Sequence, residues 1–182
     1  MSDPIDGAGE GREALRLDAV RRYDILDTPP DGSFDRLAAI AARRFKTPIA
    51  IISIVDNDRI WFKSHHGLNV SEIDRAPGLC ASAILSAETY VLTDAKLDPR
   101  SLANPLVAGE FGLRFYAAAP LITHDGFNLG TLCVIDFEPR EPDEEPAHTV
   151  RVDGPFAVGK FEVTRAQYAA FAKEAGRGGK SG

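Results

Sequence analysis

The stretch RFYAAAPLITHDGFNLGTLCVID, residues 114 to 136, contains two apolar runs that are separated by a short polar turn. The runs at 114–123 and 129–136 are each long enough for a strand, and Asp125-Gly126 between them is a dipeptide typical of tight turns. The stretch therefore predicts an antiparallel hairpin. The runs IAIISIVD, 49–56, and IWFKSHHGL, 60–68, predict a second hairpin whose first strand is buried on both faces.

The segments between and before these hairpins favour helices and one further strand. FDRLAAIAARRF predicts a helix that Ser33 caps, with Phe34, Leu37, Ala41 and Phe45 on one side. GLCASAIL and LANPLVAGE predict short helices, and YVLTDA predicts a strand. Two hairpins exclude a purely parallel sheet, so the order of elements indicates an α+β fold with an antiparallel sheet covered by helices.

The N-terminal segment REALRLDAVRRYDIL, residues 12 to 26, has the spacing of an amphipathic helix. Leu15, Ala19, Tyr23 and Leu26 recur at helical intervals, and the arginines 16, 21 and 22 fall largely off that stripe. Two interpretations stay open: the helix packs on its own domain, or it forms a homodimer.

Composition excludes several classes of protein. The chain has 182 residues, 44% of them hydrophobic and 26% charged, which is typical of a folded globular domain. The net charge of −6 argues against a nucleic-acid surface. Apolar runs of the roughly 20 residues that span a bilayer are absent from the sequence, so we expect no membrane partner. The two cysteines are too few for a disulfide scaffold, and we expect a cytoplasmic protein.

The chain divides into four predicted segments. Residues 1–10 are expected to be disordered, 11–140 to form the folded domain, and 141–147 to form an acidic, proline-rich linker. In residues 148–182, two short strands and a helix that starts at Thr164 predict a β-hairpin followed by a helix. This last segment is too short to form a stable domain alone, so we expect it to be the start of an incomplete domain.

Residues 13–140 resemble a GAF domain of the bacterial signalling type. The resemblance rests on RRYDILDTPP, FDRLAAIAARRF, PIAIISIVDNDRIWFKSHHGL, LTDAKLDPRSLANPLVAGEFGLRFYAAAPL and HDGFNLGTLCVID, which follow one another in the family's order. It implies a six-stranded antiparallel sheet, PAS-like in architecture, with a ligand cavity between the sheet and short helices. It also implies a sensory module of signal transduction that binds a small ligand or mediates dimerisation.

Residues 147–176 resemble the start of the domain of formylglycine-generating enzymes and sulfatase-modifying factors. The motif EVTRAQYAAF carries this second resemblance. In that family, catalysis depends on cysteines near the other end of the domain, and no cysteine follows Cys133 here. We therefore expect a protein without catalytic activity, and the chain is alternatively the regulatory part of an incomplete enzyme of that type.

Seven residues are candidates for contacts with a ligand in the cavity that the GAF resemblance implies. They are polar or aromatic residues, or a thiol, that the strand pattern places near the sheet or its covering helices: Trp61, Cys80, Ser82, Asp94, Arg114, Tyr116 and Thr131. Ser82 stands where such domains often have histidine, so a pH-sensing role is not expected there. The neighbouring His65 and His66 point to opposite faces of a strand and predict no metal site. The sequence identifies no cofactor.

Cys80 admits a chemical alternative. Some proteins of the GAF fold reduce free methionine sulfoxide with cysteines near this position. Such a reaction needs a second, resolving cysteine, and Cys133 lies in a run that is expected to be buried. Cys80 is thus either a packed core thiol or the nucleophile of a thiol-dependent reductase.

Overall fold

The computed structural model describes residues 6–141, in which an antiparallel sheet is covered by helices on both faces. The elements of this part of the chain are, in order, α1 (Asp6–Tyr23), α2 (Gly32–Phe45), β1 (Ile49–Val55), β2 (Arg59–His66), β3 (Glu72–Asp74), α3 (Leu79–Ala83), β4 (Tyr90–Leu92), α4 (Pro105–Ala108), β5 (Phe115–Ile122) and β6 (Asn128–Asp136). Helix α1 begins within the segment 1–10 that was expected to be disordered.

The sheet has six strands in the order β3-β2-β1-β6-β5-β4, which confirms the predicted fold class. Both predicted hairpins are present, since β1 pairs with β2 and β5 pairs with β6. The two hairpins are joined in the centre of the sheet by the antiparallel pairing of β1 with β6, in which Ser53 lies opposite Thr131. Strand β3 was not predicted from its residues, because Glu72–Asp74 is short, largely polar and at the edge of the sheet.

The N-cap of helix α2 lies two residues before the predicted one. Asp31, rather than Ser33, is the N-cap, and its side chain accepts a hydrogen bond from the backbone N–H of Ser33. The face of α2 that meets the sheet is also different from the prediction, because Phe34 is buried with three alanines while Leu37 and Phe45 are exposed. Alanine side chains allow the helix to lie close to the sheet.

The sheet separates two apolar layers. Helices α1 and α2 cover one face, where Val20, Ile54, Trp61 and Leu129 share one cluster. Helix α3 and the residues around α4 cover the other face, where Cys80 and Tyr116 belong to a second and larger cluster. The family resemblance predicted a ligand cavity in this second layer, between the sheet and the short helices.

Helix α1 packs on its own domain through a buried arginine. Arg16, which the periodicity placed off the apolar stripe, is 6% exposed, and its Nη1 donates to the carbonyl oxygen of Val55 at 2.7 Å. The carboxylate of Glu13 accepts two hydrogen bonds from the same guanidinium and pairs with Arg75 at 2.7 Å. These two guanidinium groups, Arg16 first, lower the pKa of Glu13 to about 2. The first interpretation of this helix therefore holds, and Leu15 of the predicted stripe is 56% exposed.

Arg140, close to the end of the described residues, joins three elements. Its backbone N–H donates to the carbonyl of Thr93 just after β4, and its guanidinium donates to the carbonyls of Phe45 and Lys46 at the end of α2. The same guanidinium pairs with Asp136, the last residue of β6. The direction in which the chain leaves the sheet is thereby fixed.

The predicted linker beyond residue 141 and the segment 148–182, with its β-hairpin, its helix and its resemblance to formylglycine-generating enzymes, lie outside the described residues. The domain boundaries stay predictions. Between residues 6 and 141, none of the helices combines the length and the apolar character that a membrane crossing requires.

Replacing Arg16 by alanine is expected to destabilise the domain by about 2 to 3 kcal/mol, because it removes charged hydrogen bonds to a backbone carbonyl that is buried. Urea unfolding followed by circular dichroism measures the change. Arg21→Ala is the matched control: its partner Asp18 is also on α1, but both side chains are more than 60% exposed, so the free energy of unfolding should change by less than about 0.5 kcal/mol. Equal effects of the two substitutions would contradict the proposed docking of α1.

Candidate functional site

Five side chains with hydroxyl or thiol groups meet between the centre of the sheet and α3. We call them the thiol–hydroxyl cluster: Ser53, Cys80, Tyr116, Thr131 and Cys133. Each is at most 5% exposed to solvent. The hydroxyl of Tyr116 donates to the sulfur of Cys80 at 3.3 Å, and the hydroxyls of Ser53 and Thr131 lie 2.9 Å apart. Polar groups are thus concentrated in a core that is otherwise apolar.

The strand register explains why these residues meet. Thr131 and Cys133 are two positions apart on β6 and so point to the same face of the sheet. Ser53 lies opposite Thr131 on β1, and Ala118 of β5 lies opposite Cys133, which places Tyr116 on that face as well. The register of three central strands therefore brings four of the five side chains together.

Cys80 is brought to the cluster by α3, which is held at both ends by asparagine side chains. Nδ2 of Asn104 donates to the carbonyl of Pro77, just before α3, at 2.6 Å. Nδ2 of Asn128 donates to the carbonyls of Ile84 and Ser86, just after α3, at 2.6 and 2.8 Å. These bonds hold a helix of five residues against the sheet, with its second residue, Cys80, facing inwards.

The two thiols differ in acidity. Hydrogen bonds from Cys133 and from the hydroxyls of Thr131, Tyr116 and Ser53 stabilise the Cys80 thiolate against burial and lower the pKa of Cys80 to about 6. The pKa of Cys133 is raised, because its thiol proton is held in the hydrogen bond to Cys80 and because the residue is buried. Burial and the neighbouring Cys80 also raise the pKa of Tyr116. Cys80 is therefore the member of the cluster that ionises first.

Asp94 and Arg114 form a separate pair at the edge of the sheet. The guanidinium of Arg114 donates to both carboxylate oxygens of Asp94, at 2.8 and 2.6 Å, and lowers the pKa of Asp94. Asp94 borders an open surface depression of about 370 Å³, whose remaining wall includes Leu97, Asp98 and Glu141. A bidentate ion pair of this kind ties the segment after β4 to the start of β5.

Trp61 and Ser82 lie apart from both groups. Trp61 is buried on the opposite face of the sheet, in the layer beneath α1 and α2. Ser82 is exposed on the outer side of α3. The structure thus brings three of the seven candidates, Cys80, Tyr116 and Thr131, into one cluster and places the other four elsewhere.

Sequence reasoning missed Ser53 as a member of the site and did not predict that Cys133 contacts Cys80. Ser53 is the one polar residue in the strand IAIISIV, and an isolated hydroxyl in a buried apolar run is a usable signal. The contact between the cysteines had no such signal, because it depends on the placement of α3. In residues 6–141, three or more His, Cys, Asp or Glu side chains do not come together in a way that could hold a metal ion.

The six-stranded antiparallel sheet and its covering helices agree with the domain family that the sequence resembled. The family model of the GAF domain matches residues 29–151, and the chain belongs to this family. The match covers most of the described residues and extends a short way beyond them.

A cyclic di-GMP phosphodiesterase from Pseudomonas aeruginosa is 47% identical to the chain over 130 residues. The match covers 71% of this chain but only 22% of that protein, so the chain spans about a fifth of the length of its relative. We had expected a protein without catalytic activity, and this finding contradicts that expectation because a closely similar relative is named as an enzyme.

Solved structures share the fold at low sequence identity. A type II free methionine-R-sulfoxide reductase from Thermoplasma acidophilum has a TM-score of 0.51 at 15% identity, covering 63% of this chain and 79% of its own. The GAF domain of a phosphoenolpyruvate-protein phosphotransferase from Coxiella burnetii has a TM-score of 0.51 at 18% identity, with coverages of 74% and 83%. The GAF domain of the Acinetobacter phosphoenolpyruvate-protein phosphotransferase has a TM-score of 0.50 at 20% identity, and the match covers 71% of this chain and 82% of that domain's chain. These similarities establish the architecture.

Thr131→Val is expected to lower the free energy of unfolding by about 1 to 2 kcal/mol, because it leaves the buried hydroxyl of Ser53 without its short hydrogen bond. Ser53→Ala should cost a similar amount. The double variant should cost clearly less than the sum, since removing both hydroxyls leaves neither one unpaired. Urea unfolding of the four proteins measures the coupling, and strictly additive effects would show that the two hydroxyls do not interact.

Proposed function

We propose that the chain is the sensory GAF domain of an enzyme of the cyclic di-GMP phosphodiesterase type, in which it regulates the hydrolysis of the cyclic dinucleotide. The observation that carries the proposal is the 47% identity over 130 residues, a stretch as long as a whole GAF domain. The covered fifth of the relative corresponds to one domain of a longer protein. Domains of this class modulate the activity of the proteins that contain them by binding or by changing conformation.

The face of the sheet beneath α3 is the proposed place for a small ligand. Cys80, Tyr116 and Thr131, three of the residues predicted from the sequence, are proposed to contact it. Their hydroxyl and thiol groups can exchange the hydrogen bonds that they make with one another for bonds to a polar ligand. Because all three are buried, a ligand can enter only when α3 moves away from the sheet, and that movement couples occupancy to conformation.

Asp94 and Arg114 are the second proposed contact region. Asp94 borders the open depression of about 370 Å³, a volume within the range of small-molecule sites, and Arg114 is the bidentate partner of Asp94. Trp61 and Ser82 lie on other surfaces and have no place in either region. A charged ligand would have to compete with the existing ion pair, which makes the face beneath α3 the preferred site.

A second candidate function is the thiol-dependent reduction of free methionine sulfoxide. The presence of Cys80 and Cys133 in one buried cluster favours it, because the reaction requires a resolving thiol near the nucleophile. The reductase from Thermoplasma acidophilum supports the fold alone, at 15% identity.

A homodimer and a cytoplasmic location also belong to the proposal. Leu15 is 56% exposed on the side of α1 that faces away from the sheet, where a second copy of the chain could pack. Light scattering of the Leu15→Glu variant tests this contact. The wild-type protein should have the mass of a dimer, and the variant should have the mass of a monomer. Equal masses of the two proteins would contradict the contact.

Grafting residues 11–140 into the Pseudomonas aeruginosa phosphodiesterase, in place of the segment they match, tests the proposed function. We expect the chimera to hydrolyse cyclic di-GMP, as measured by chromatography of the nucleotide, because the grafted domain retains nearly half of the residues of the original. The matched control carries instead the Acinetobacter GAF domain, which shares the fold at 20% identity and should not restore regulated activity. Equal activity of both chimeras would mean that the domain is only a spacer. A chimera no more active than a deletion of the segment would also overturn the proposal.

A further inference from the structure

The two cysteines of the chain come from distant parts of the sequence and meet in the interior of the domain. Cys80 is in α3 and Cys133 is in β6, a central strand, and both side chains belong to one buried cluster together with Tyr116, whose hydroxyl donates to the sulfur of Cys80. Cys80 is 5% exposed and Cys133 is 1% exposed. Neither the phosphodiesterase relationship nor the binding of a polar ligand requires two adjacent thiols, so the pair calls for its own explanation.

We propose that Cys80 and Cys133 are a dithiol site that a small peroxide oxidises to a disulfide between α3 and β6. The Cys80 thiolate attacks one peroxide oxygen, the O–O bond breaks, and the leaving hydroxide takes up a proton to form water. The product is a sulfenic acid on Cys80, whose sulfur is oxidised by two electrons. The Cys133 sulfur then attacks that sulfur, an S–S bond forms, and the hydroxyl group leaves with the Cys133 proton as a second water.

The geometry assigns different roles to the two thiols. The hydroxyl of Tyr116 donates to the sulfur of Cys80 at 3.3 Å, an arrangement that stabilises a thiolate there. Cys133 lies on a central strand between β1 and β5 and is the less exposed of the two. The lowered pKa of Cys80 and the raised pKa of Cys133 agree with Cys80 as the attacking sulfur and Cys133 as the resolving one.

Access to Cys80 depends on α3, which is a short helix. It has five residues, its N-cap Gly78 supplies no side-chain bond, and Leu85, two residues after its end, is 82% exposed. The bonds from Asn104 and Asn128 hold its two ends. A local opening of this helix admits a molecule the size of hydrogen peroxide without unfolding of the sheet.

The experiment treats the folded full-length chain with hydrogen peroxide, blocks the remaining thiols with an alkylating reagent and digests the protein with trypsin. Cleavage after Arg75, Lys96, Arg114 and Arg140 places Cys80 and Cys133 in separate peptides, 76–96 and 115–140. We expect these two peptides to be joined in the mass spectrum, and dithiothreitol to separate them. The same digest after treatment with free methionine sulfoxide shows whether that compound is an oxidant as well; a joined pair with the sulfoxide alone would favour the reductase and overturn the peroxide site.

Two variants identify the roles of individual groups. In Cys133→Ser, sulfenic acid on Cys80 should accumulate and be captured by dimedone, whereas Cys80→Ser should show no dimedone adduct. Tyr116→Phe retains the ring and removes only the hydroxyl, and it should slow disulfide formation about tenfold, the effect of one hydrogen bond to a charged group. Circular dichroism checks that each variant is folded.

Three results would overturn the proposal. The first is that the thiols of the folded wild-type protein stay reduced under conditions in which the urea-unfolded protein forms the disulfide. Oxidation could stop at a sulfinic or sulfonic acid on Cys80 without a joined peptide. The bond could also form between two chains, which non-reducing electrophoresis would show as a dimer.

Discussion

The pairing of β1 with β6 is the contact on which the rest of the sheet depends. Each hairpin is local in sequence, but only this central pairing joins the first hairpin to the second across the whole domain. The two strands approach so closely that a Cβ atom on Gly130 would lie 1.8 Å from the carbonyl oxygen of Ser53. Glycine at this position is therefore a requirement of the pairing, and both helical layers and the thiol–hydroxyl cluster are built on the surface that it creates.

The two faces of that sheet differ, and the function that we propose depends on this difference. The face beneath α1 and α2 is sealed by packed apolar side chains and by the buried guanidinium of Arg16. The opposite face carries hydroxyls and thiols beneath a helix of only five residues. The sensory role that we propose requires one stable layer and one that can open, and these two layers differ in the way that such a role needs. In the function that we propose, the hydrolysis of a cyclic dinucleotide by the longer protein is the output of that response.

The sequence predicted what is decided locally. Both hairpins, α2 and the six-stranded antiparallel class followed from alternation, turn dipeptides and the family resemblance. Strand β3 was not predicted from the pattern, because three residues are too few to show an alternation. Arg16 was placed off the apolar stripe, because hydrophobic periodicity does not identify a guanidinium that is buried through its hydrogen bonds. Cys80, Tyr116 and Thr131 were among the candidates that the sequence named. Their grouping with Cys133 and their separation from Trp61 and Ser82 depend on register and on α3, which are tertiary properties.

The junction at Arg140 has a mechanical consequence. Because this one residue is bonded to the end of α2, to the residue after β4 and to the last residue of β6, a pull on the chain beyond it is distributed over all three elements. Strand β6 is thereby protected from being peeled off the sheet from its C-terminal end. A displacement of the sheet therefore moves Arg140 together with the three elements to which it is bonded, and the end of β6 does not separate from the sheet.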